Sequence, residues 1–354
     1  MIKSPFHSAF KLQGKSFQTV NELIDFSKEI SAEVSDFLRN WFDATAFVEV
    51  KTSGSTGNPK IIQLQKKQMV NSAKATGDYF NLPENTAALL CMSPNYIAGK
   101  MMLVRALTLG WHLDVVAPTS NPLKNIDKNY DFSAMVPMQL HNSLPDIHKI
   151  KKLVIGGGTV SNEWLSKIQE VETEIFATYG MTETITHIAV KRINQSCHAE
   201  LVSASHYKIL PNIQISLDHR GCLVIDAPTI SAEKVITNDL VELISSTEFK
   251  WLGRIDNVIN SGGIKLIPEQ IEEKLAAIIE NRFLVAGKKD EILGEKLILI
   301  VEGIAIENLP KKIRQLKSLS NYEIPKEICF LEKFTETQTN KIDRAKTLEF
   351  LDKG

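Results

Sequence analysis

Apolar positions between residues 20 and 43 recur at helical spacing: Leu23, Ile24, Phe26, Ile30, Val34, Phe37, Leu38 and Trp41. Phe47–Val50 then reads as a short strand that runs into a glycine-rich stretch. The segment Leu64–Phe80 has the pattern of a helix. After it come short apolar runs at Ala87–Met92, Met101–Leu109, Leu113–Ala117, Ala134–Val136, Leu153–Ile155 and Ile175–Ala177, separated by helical stretches. Alternation of this kind predicts an α/β sheet with helices on its faces, and ligands then sit at the carboxyl ends of the strands.

Beyond about residue 207 the pattern changes. Ile213–Leu217 and Cys222–Ile225 form a predicted β-hairpin around Asp218-His219-Arg220-Gly221. The tail is predicted as helix Glu269–Ile279, strands Phe283–Ala286 and Lys296–Val301, helix Leu309–Leu319 and strand Glu327–Leu331. The fold expected is a large α/β N-terminal domain over 1–254, with mixed sheets and flanking helices. A small α+β C-terminal domain over 255–354 follows. Asn194–His206, after the strand pattern Ile188–Ile193, has no period of its own and reads as a surface loop, with a lid as the other reading.

Composition narrows the function classes. Hydrophobic residues at 43% and charged residues at 23% describe an ordinary globular chain of 354 residues. A formal net charge of −1 gives no reason to expect a nucleic-acid or acidic-membrane partner. The basic run Lys311, Lys312, Arg314 and Lys317 is interrupted at helical spacing and reads as a solvated helix face. Cys91, Cys197, Cys222 and Cys329 are scattered, which argues against structural zinc or a disulfide framework and fits a cytoplasmic protein. The N-terminus shows no apolar signal core, and no stretch is long enough to span a bilayer.

The most informative stretch is Thr52-Ser53-Gly54-Ser55-Thr56-Gly57-Asn58-Pro59-Lys60. Its glycines free the backbone, its hydroxyls and amides can donate to phosphate oxygens, and Lys60 adds a mobile charge. It is not a Walker A loop, because Asn-Pro follows the second glycine where that loop needs Lys-Ser/Thr. A solvated linker is the bland alternative, but a linker has no reason to sit tightly between two apolar runs.

This nonapeptide resembles the phosphate-loop signature of the acyl-CoA synthetase, peptide-synthetase adenylation domain and luciferase superfamily. Further motifs of that superfamily follow in order. Gly156-Gly157-Gly158-Thr159 resembles the loop that meets adenine. Tyr179-Gly180-Met181-Thr182-Glu183-Thr184 resembles the motif that supplies a stacking aromatic, a phosphate-binding threonine and a magnesium-binding glutamate. Asp239 matches the carboxylate that holds the ribose hydroxyls. Trp251 to Lys265, containing Arg254, Asp256, Gly262 and Gly263, matches the interdomain hinge, and Asn340-Lys341-Ile342-Asp343-Arg344 the loop bearing the catalytic lysine.

The resemblance implies an enzyme that joins a carboxylic acid to AMP, using ATP and Mg²⁺, and passes the acyl group to coenzyme A. It implies Lys341, Thr182 and Glu183 as catalytic residues, with Glu183 on the metal. Thr52, Ser53, Gly54, Ser55, Thr56, Gly57, Lys60, Gly156, Gly157, Gly158, Thr159, Tyr179, Gly180, Asp239 and Arg254 would face ATP or AMP. Asp256 would be the hinge of a mobile C-terminal domain, and Gly262 and Gly263 would line the coenzyme A channel.

Within the superfamily the short N-terminal part, NYIAGKMMLVRALTLGW and WLGRIDNVINSGGIKLIPEQIE most resemble the 2-succinylbenzoate–CoA ligase family of menaquinone biosynthesis. That implies an acid with a second, aromatic carboxylate. Tyr96 is a candidate gate to the acyl pocket, and Lys100, Arg105 and His187 are candidates to meet the second carboxylate. A lone buried histidine is more often a core residue.

The chain also departs from the superfamily. About fifty residues precede the phosphate loop, so a reduced N-terminal subdomain is expected. Asn340 stands where glycine is usual, and Lys265 where arginine is common. An adenylating enzyme for another acid, a non-catalytic relative and a phosphotransferase are the alternatives. The expected partners are a small-molecule acid and coenzyme A, and a homodimer is the default oligomer.

Overall fold

The computed structural model describes residues 5–51, 61–158, 162–194, 206–336 and 342–351. The chain opens with a two-residue strand, β1 (Lys11–Leu12), and helices α1 (Val20–Ile30) and α2 (Ala32–Phe42). The periodic stretch 20–43 is thus two helices. Ser31 stands extended between them, and its hydroxyl accepts from the Glu33 amide, so it ends one helix by capping the next. Strands β2 (Phe47–Lys51) and β3 (Ile61–Gln65) pair antiparallel as a separate ribbon. Leu64 belongs to that ribbon, opposite Val48, so helix α3 (Lys66–Phe80) starts two residues later than its periodicity suggests.

The core follows as β4 (Ala87–Leu90), α4 (Ile97–Leu109), β5 (His112–Val115), β6 (Tyr130–Met135), α5 (Pro137–Ser143), β7 (Ile150–Ile155), α6 (Asn162–Lys167), β8 (Glu174–Gly180) and β9 (His187–Arg192). Met101–Leu109, grouped above with the apolar runs between helical stretches, lies within helix α4. Residues 101–107 are all buried, and a helix enclosed on every side has no polar face to show a period.

Next come β10 (Tyr207–Ile209), β11 (Gln214–Leu217), β12 (Cys222–Asp226), β13 (Val235–Leu243) and β14 (Glu248–Arg254). All join one 12-stranded sheet in the order β1-β5-β4-β6-β7-β8-β9-β10-β14-β13-β12-β11. Its first half is parallel, and from the β8–β9 pair onward it is antiparallel. The expected hairpin is β11–β12, with Gly221 at φ 81° in its turn. Asn194 is not part of a surface excursion. It is buried, and its side chain donates to the Val171 and Thr173 carbonyls and accepts from the Ile175 amide. Residues 195–205 of that segment lie outside the described residues, and His206 at its end is partly buried.

The tail holds β15 (Ile259–Ser261), β16 (Ile264–Leu266), α7 (Pro268–Leu275), β17 (Phe283–Asp290), β18 (Gly294–Glu302), α8 (Leu309–Gln315), β19 (Glu327–Leu331) and α9 (Arg344–Leu351). Its strands make a second sheet, β16-β15-β18-β17 with β19 on β18, over buried clusters of its own. The architecture is the mixed α/β body with an α+β tail that the sequence implies. Leu309 and Ile313 are buried while Lys311, Lys312, Arg314 and Lys317 are exposed, as a solvated helix face requires. Helix α7 abuts β14 at Gly253, where a Cβ atom would stand under 3.0 Å from Glu269 Oε2 and Ile267 Cγ2. Among the described residues Cys91, Cys222 and Cys329 are free thiols, and no helix is long and apolar enough to cross a membrane.

Candidate active site

The change from parallel to antiparallel pairing falls at the carboxyl end of β8, where Tyr179 and Gly180 lie. A Cβ at Gly180 would stand under 3.0 Å from the Thr186 carbonyl and His187 Cα, so only glycine lets the two backbones meet there. Between them runs a short 3₁₀ turn, Thr182–Thr184. The Thr184 hydroxyl is buried, accepts from the Met181 amide, and lies within donating distance of the Met181 and Thr186 carbonyls.

Ile185 then adopts φ 68° and ψ −63°, and the Thr186 amide donates to the Thr184 carbonyl at 2.8 Å. This is a γ-turn with positive φ, a conformation that costs a β-branched residue about 1–3 kcal/mol. Nothing in the sequence marks Ile185 as strained. The turn leaves Glu183 exposed, without an ion pair or hydrogen bond among the described residues.

Tyr179 meets a residue sixty positions away. Its hydroxyl donates to Asp239 Oδ2 at 2.7 Å, Trp251 Nε1 donates to Oδ1 at 3.2 Å, and Arg254 Nε lies 3.9 Å from Oδ1. Antiparallel β13–β14 pairing sets Asp239 opposite Arg254. Asp239 is 7% exposed. Burial, and then the Asp239 charge, push the Tyr179 phenol well above its ordinary value, so it stays a donor.

Arg254 also pairs with Asp256, Nη2 to Oδ2 at 2.8 Å, and Asn238 Nδ2 donates to both Asp256 oxygens. The Arg254 hydrogen bond is the main reason the Asp256 carboxyl sits below its usual range. Gly156, Gly157 and Gly158 leave β7, the strand beside β8, with Gly157 at φ 80°. Gly262 and Gly263 form the β15–β16 turn at φ 59° and 83°, with Gly262 against Leu293 and open space beside Gly263. Thr52 to Lys60, Thr159 and Lys341 lie outside the described residues.

Of the candidate acyl-pocket residues, Arg105 and His187 come together and Lys100 does not. Five residues along a helix turn about 140° from the starting direction. Lys100 therefore faces α2, with Nζ 5.4 Å from the centre of the Phe37 ring, while Arg105 faces α3 and Thr186, just before β9. Tyr96 stands at the start of α4, 57% exposed.

Arg105 is 2% exposed. Its Nε donates to Thr76 Oγ1 and its Nη2 to Thr186 Oγ1, both at 3.3 Å, and Nη1 reaches Met102 Sδ at 3.8 Å. Among the described residues no carboxylate pairs with it. Burial holds its proton affinity down to about 10. Beside it His187 is buried with Nε2 unpartnered, and burial first, then the Arg105 charge, push its pKa down to about 3. The imidazole is neutral and leaves the guanidinium as the local charge.

Tyr179, Asp239 and Arg254 thus meet near the exposed Glu183, and these are residues that the motifs assign to nucleotide and metal in adenylate-forming acid ligases. The profile of the AMP-binding enzyme family matches residues 43–226, just over half of the chain, and the protein belongs to that family. It is 40% identical to a solved acyl-CoA synthetase (AMP-forming)/AMP-acid ligase II-like protein from Dyadobacter fermentans, over 90% of this chain and 94% of that one, with a TM-score of 0.60. A Mycobacterium tuberculosis protein named "Probable 2-succinylbenzoate–CoA ligase" is 26% identical over 317 residues, covering 84% of this chain and 82% of its own length. A 3,4-dihydroxybenzoate–[aryl-carrier protein] ligase from Bacillus anthracis is 24% identical over 317 residues, 83% of this chain and 71% of its own.

Proposed function

We propose that the enzyme activates an acid bearing two carboxylates, with 2-succinylbenzoate as the acid and coenzyme A as the acceptor. The observation that carries this reading is Arg105. A buried cation with three weak contacts and no anion among the described residues is costly, and a ligand carboxylate supplies the missing charge through charge-assisted hydrogen bonds. The name of the Mycobacterium tuberculosis relative supports the same acid.

In this reading Asp239 holds the ribose diol. A carboxylate has about four lone-pair sites, and Tyr179 and Trp251 occupy two, so both oxygens can still accept. The Tyr179 ring stacks on adenine beside Gly156–Gly158, and Thr182 with the Thr52–Lys60 loop meets the phosphates. Glu183 fits Mg²⁺, because a hard cation here needs one free carboxylate besides phosphate oxygens and water. Bound Mg²⁺ would neutralise part of the phosphate charge.

The aliphatic carboxylate of the acid attacks the α-phosphorus and pyrophosphate leaves. Lys341 bridges the two anions as they approach and faces the charge that builds on phosphate. The thiol of coenzyme A then attacks the acyl carbonyl and AMP leaves. For that second step the tail domain, residues 255–354, turns about Asp256, withdraws Lys341 and brings Gly262 and Gly263 to the channel.

The test is coenzyme A-dependent AMP release from 2-succinylbenzoate and from 4-oxo-4-phenylbutyrate, which has the same arm and no ring carboxylate. A site built around a polar group rejects the analogue lacking it by far more than a missing methylene would cost. Equal kcat/KM for the two acids, or transfer to a carrier protein alone, overturns the assignment.

A further inference from the structure

We propose that Glu33, on the N-terminal helix α2, is a positioning residue for the acid-binding site, acting through the Ser93–Tyr96 turn on helix α4. The proposal rests on the proposed function, in which α4 carries Arg105 to the acid and Tyr96 at its start is the candidate gate. Its observation is a bridge between segments 60 and 62 residues apart: Ser93 Oγ donates to Glu33 Oε2 at 2.7 Å, and Asn95 Nδ2 donates to Glu33 Oε1 at 2.8 Å. Each carboxylate oxygen thus holds a different residue of one turn.

Both ends of the bridge are fixed. On the helix side the Glu33 amide is capped by Ser31, and an acidic residue in a first turn suits the helix dipole. On the loop side Ser93 Oγ also accepts from the Asn95 amide, and the Tyr96 amide donates to the Ser93 carbonyl. The turn in turn fixes α4. That helix starts at Tyr96 without a side-chain cap, and a Cβ at Gly99 would stand under 3.0 Å from the Ser93 carbonyl and Pro94 nitrogen. With no slack at Gly99, a shift of the turn moves the first turn of α4, and with it Tyr96 and Lys100.

Phe37, four residues beyond Glu33 and so on the same face of α2, completes the contact by packing under Lys100. The negative charge of Glu33 also favours the protonated lysine against the effect of its burial. None of the Glu33 bonds goes to β8, β13 or β14, which carry Tyr179 and Asp239. The effect should therefore fall on the acid and spare the nucleotide.

Glu33→Ala should raise KM for the acid about tenfold, with kcat and KM for ATP within about twofold, the pattern of binding lost equally from ground state and transition state. Glu33→Gln keeps an acceptor for Asn95 and can donate to Ser93 Oγ, so it should restore the acid KM to within about threefold. Ser93→Ala with Asn95→Ala cuts the same bridge from the loop side and should not add to Glu33→Ala. The substrate assignment is judged separately, by which acids the wild type turns over, whereas the variant-to-wild-type ratio is read on whichever acid supports AMP release. Amide hydrogen exchange needs no substrate: in Glu33→Ala it should rise about tenfold or more over residues 93–103 and stay unchanged in β13 and β14. Acid and ATP parameters falling together, an unchanged acid KM, additive effects or unchanged exchange would each overturn the proposal.

Discussion

Replacing Arg105 with methionine should hold or raise the stability of the free enzyme while destroying its preference for a dicarboxylic acid. Burial lowers the guanidinium from 12.5 to about 10, which at ~1.4 kcal/mol per pKa unit sets roughly 3 kcal/mol against the charged form. Three long contacts, at 3.3, 3.3 and 3.8 Å, recover only part of that. Methionine is unbranched and apolar, and exchange of a buried charge for an apolar side chain of similar length is commonly neutral or stabilising. The net gain is about 0–2 kcal/mol, or a Tm up to about 4–8 °C higher.

Substrate binding should move the other way. Two charge-assisted hydrogen bonds at about 1.5–3 kcal/mol each imply a loss of about 10²–10⁴ in kcat/KM for 2-succinylbenzoate. For 4-oxo-4-phenylbutyrate the change should stay within about tenfold. Melting without ligand and AMP release with both acids give the two readouts. A Tm lowered by more than about 5 °C with the acid preference intact would show that Arg105 serves the core.

His187 should make stability depend on pH. Its folded pKa of about 3 lies below the ordinary 6.5, so between these values only the unfolded chain binds the proton. Stability is full above about pH 6.5 and falls toward pH 3 by up to ~1.4 kcal/mol per pH unit. Urea melts at pH 7, 6, 5 and 4.5 should show that slope reduced in His187→Gln, and equal slopes would contradict it. Gly180→Ala should lose about 1–3 kcal/mol or more, and its activity, because the added methyl meets the Thr186–His187 backbone. A wild-type urea midpoint would count against that packing. Lys341→Ala should slow adenylation by about 10²–10³ but spare thioester formation from supplied acyl-adenylate. Equal losses in both half-reactions would refute the role.

Legibility in the sequence followed how local each cause is. The strands at Leu153–Ile155 and Ile175–Ala177 and the hairpin around Gly221 carry their own pattern, and they appear as β7, β8 and β11–β12. The helix at 101–109 does not, because full burial erases the polar face that would give it a period. The break at Ser31 is a choice between helix interior and cap, which only the packing of α1 on α2 decides. At the site, motif order points to Tyr179 and Asp239 separately, but their hydrogen bond depends on β9, β10 and β14 lying between β8 and β13 in one sheet. Arg105 looks like an ordinary helical arginine until its neighbours prove to be Thr76, Thr186 and a sulfur.

At Gly253 the backbone takes φ 152°, a conformation that residues with a side chain rarely adopt, and a Cβ there would press on the Glu269 carboxylate and the Ile267 side chain. The backbone angle restricts this position more than its neighbours do, since the Glu269 carboxylate can swing aside. Sequence drift can alter the surfaces around it, but position 253 favours glycine for as long as β14 keeps that backbone angle. Gly253→Ala would therefore strain the strand and push the Glu269 carboxylate from its place beside Asn257, at the seam where α7 meets β14.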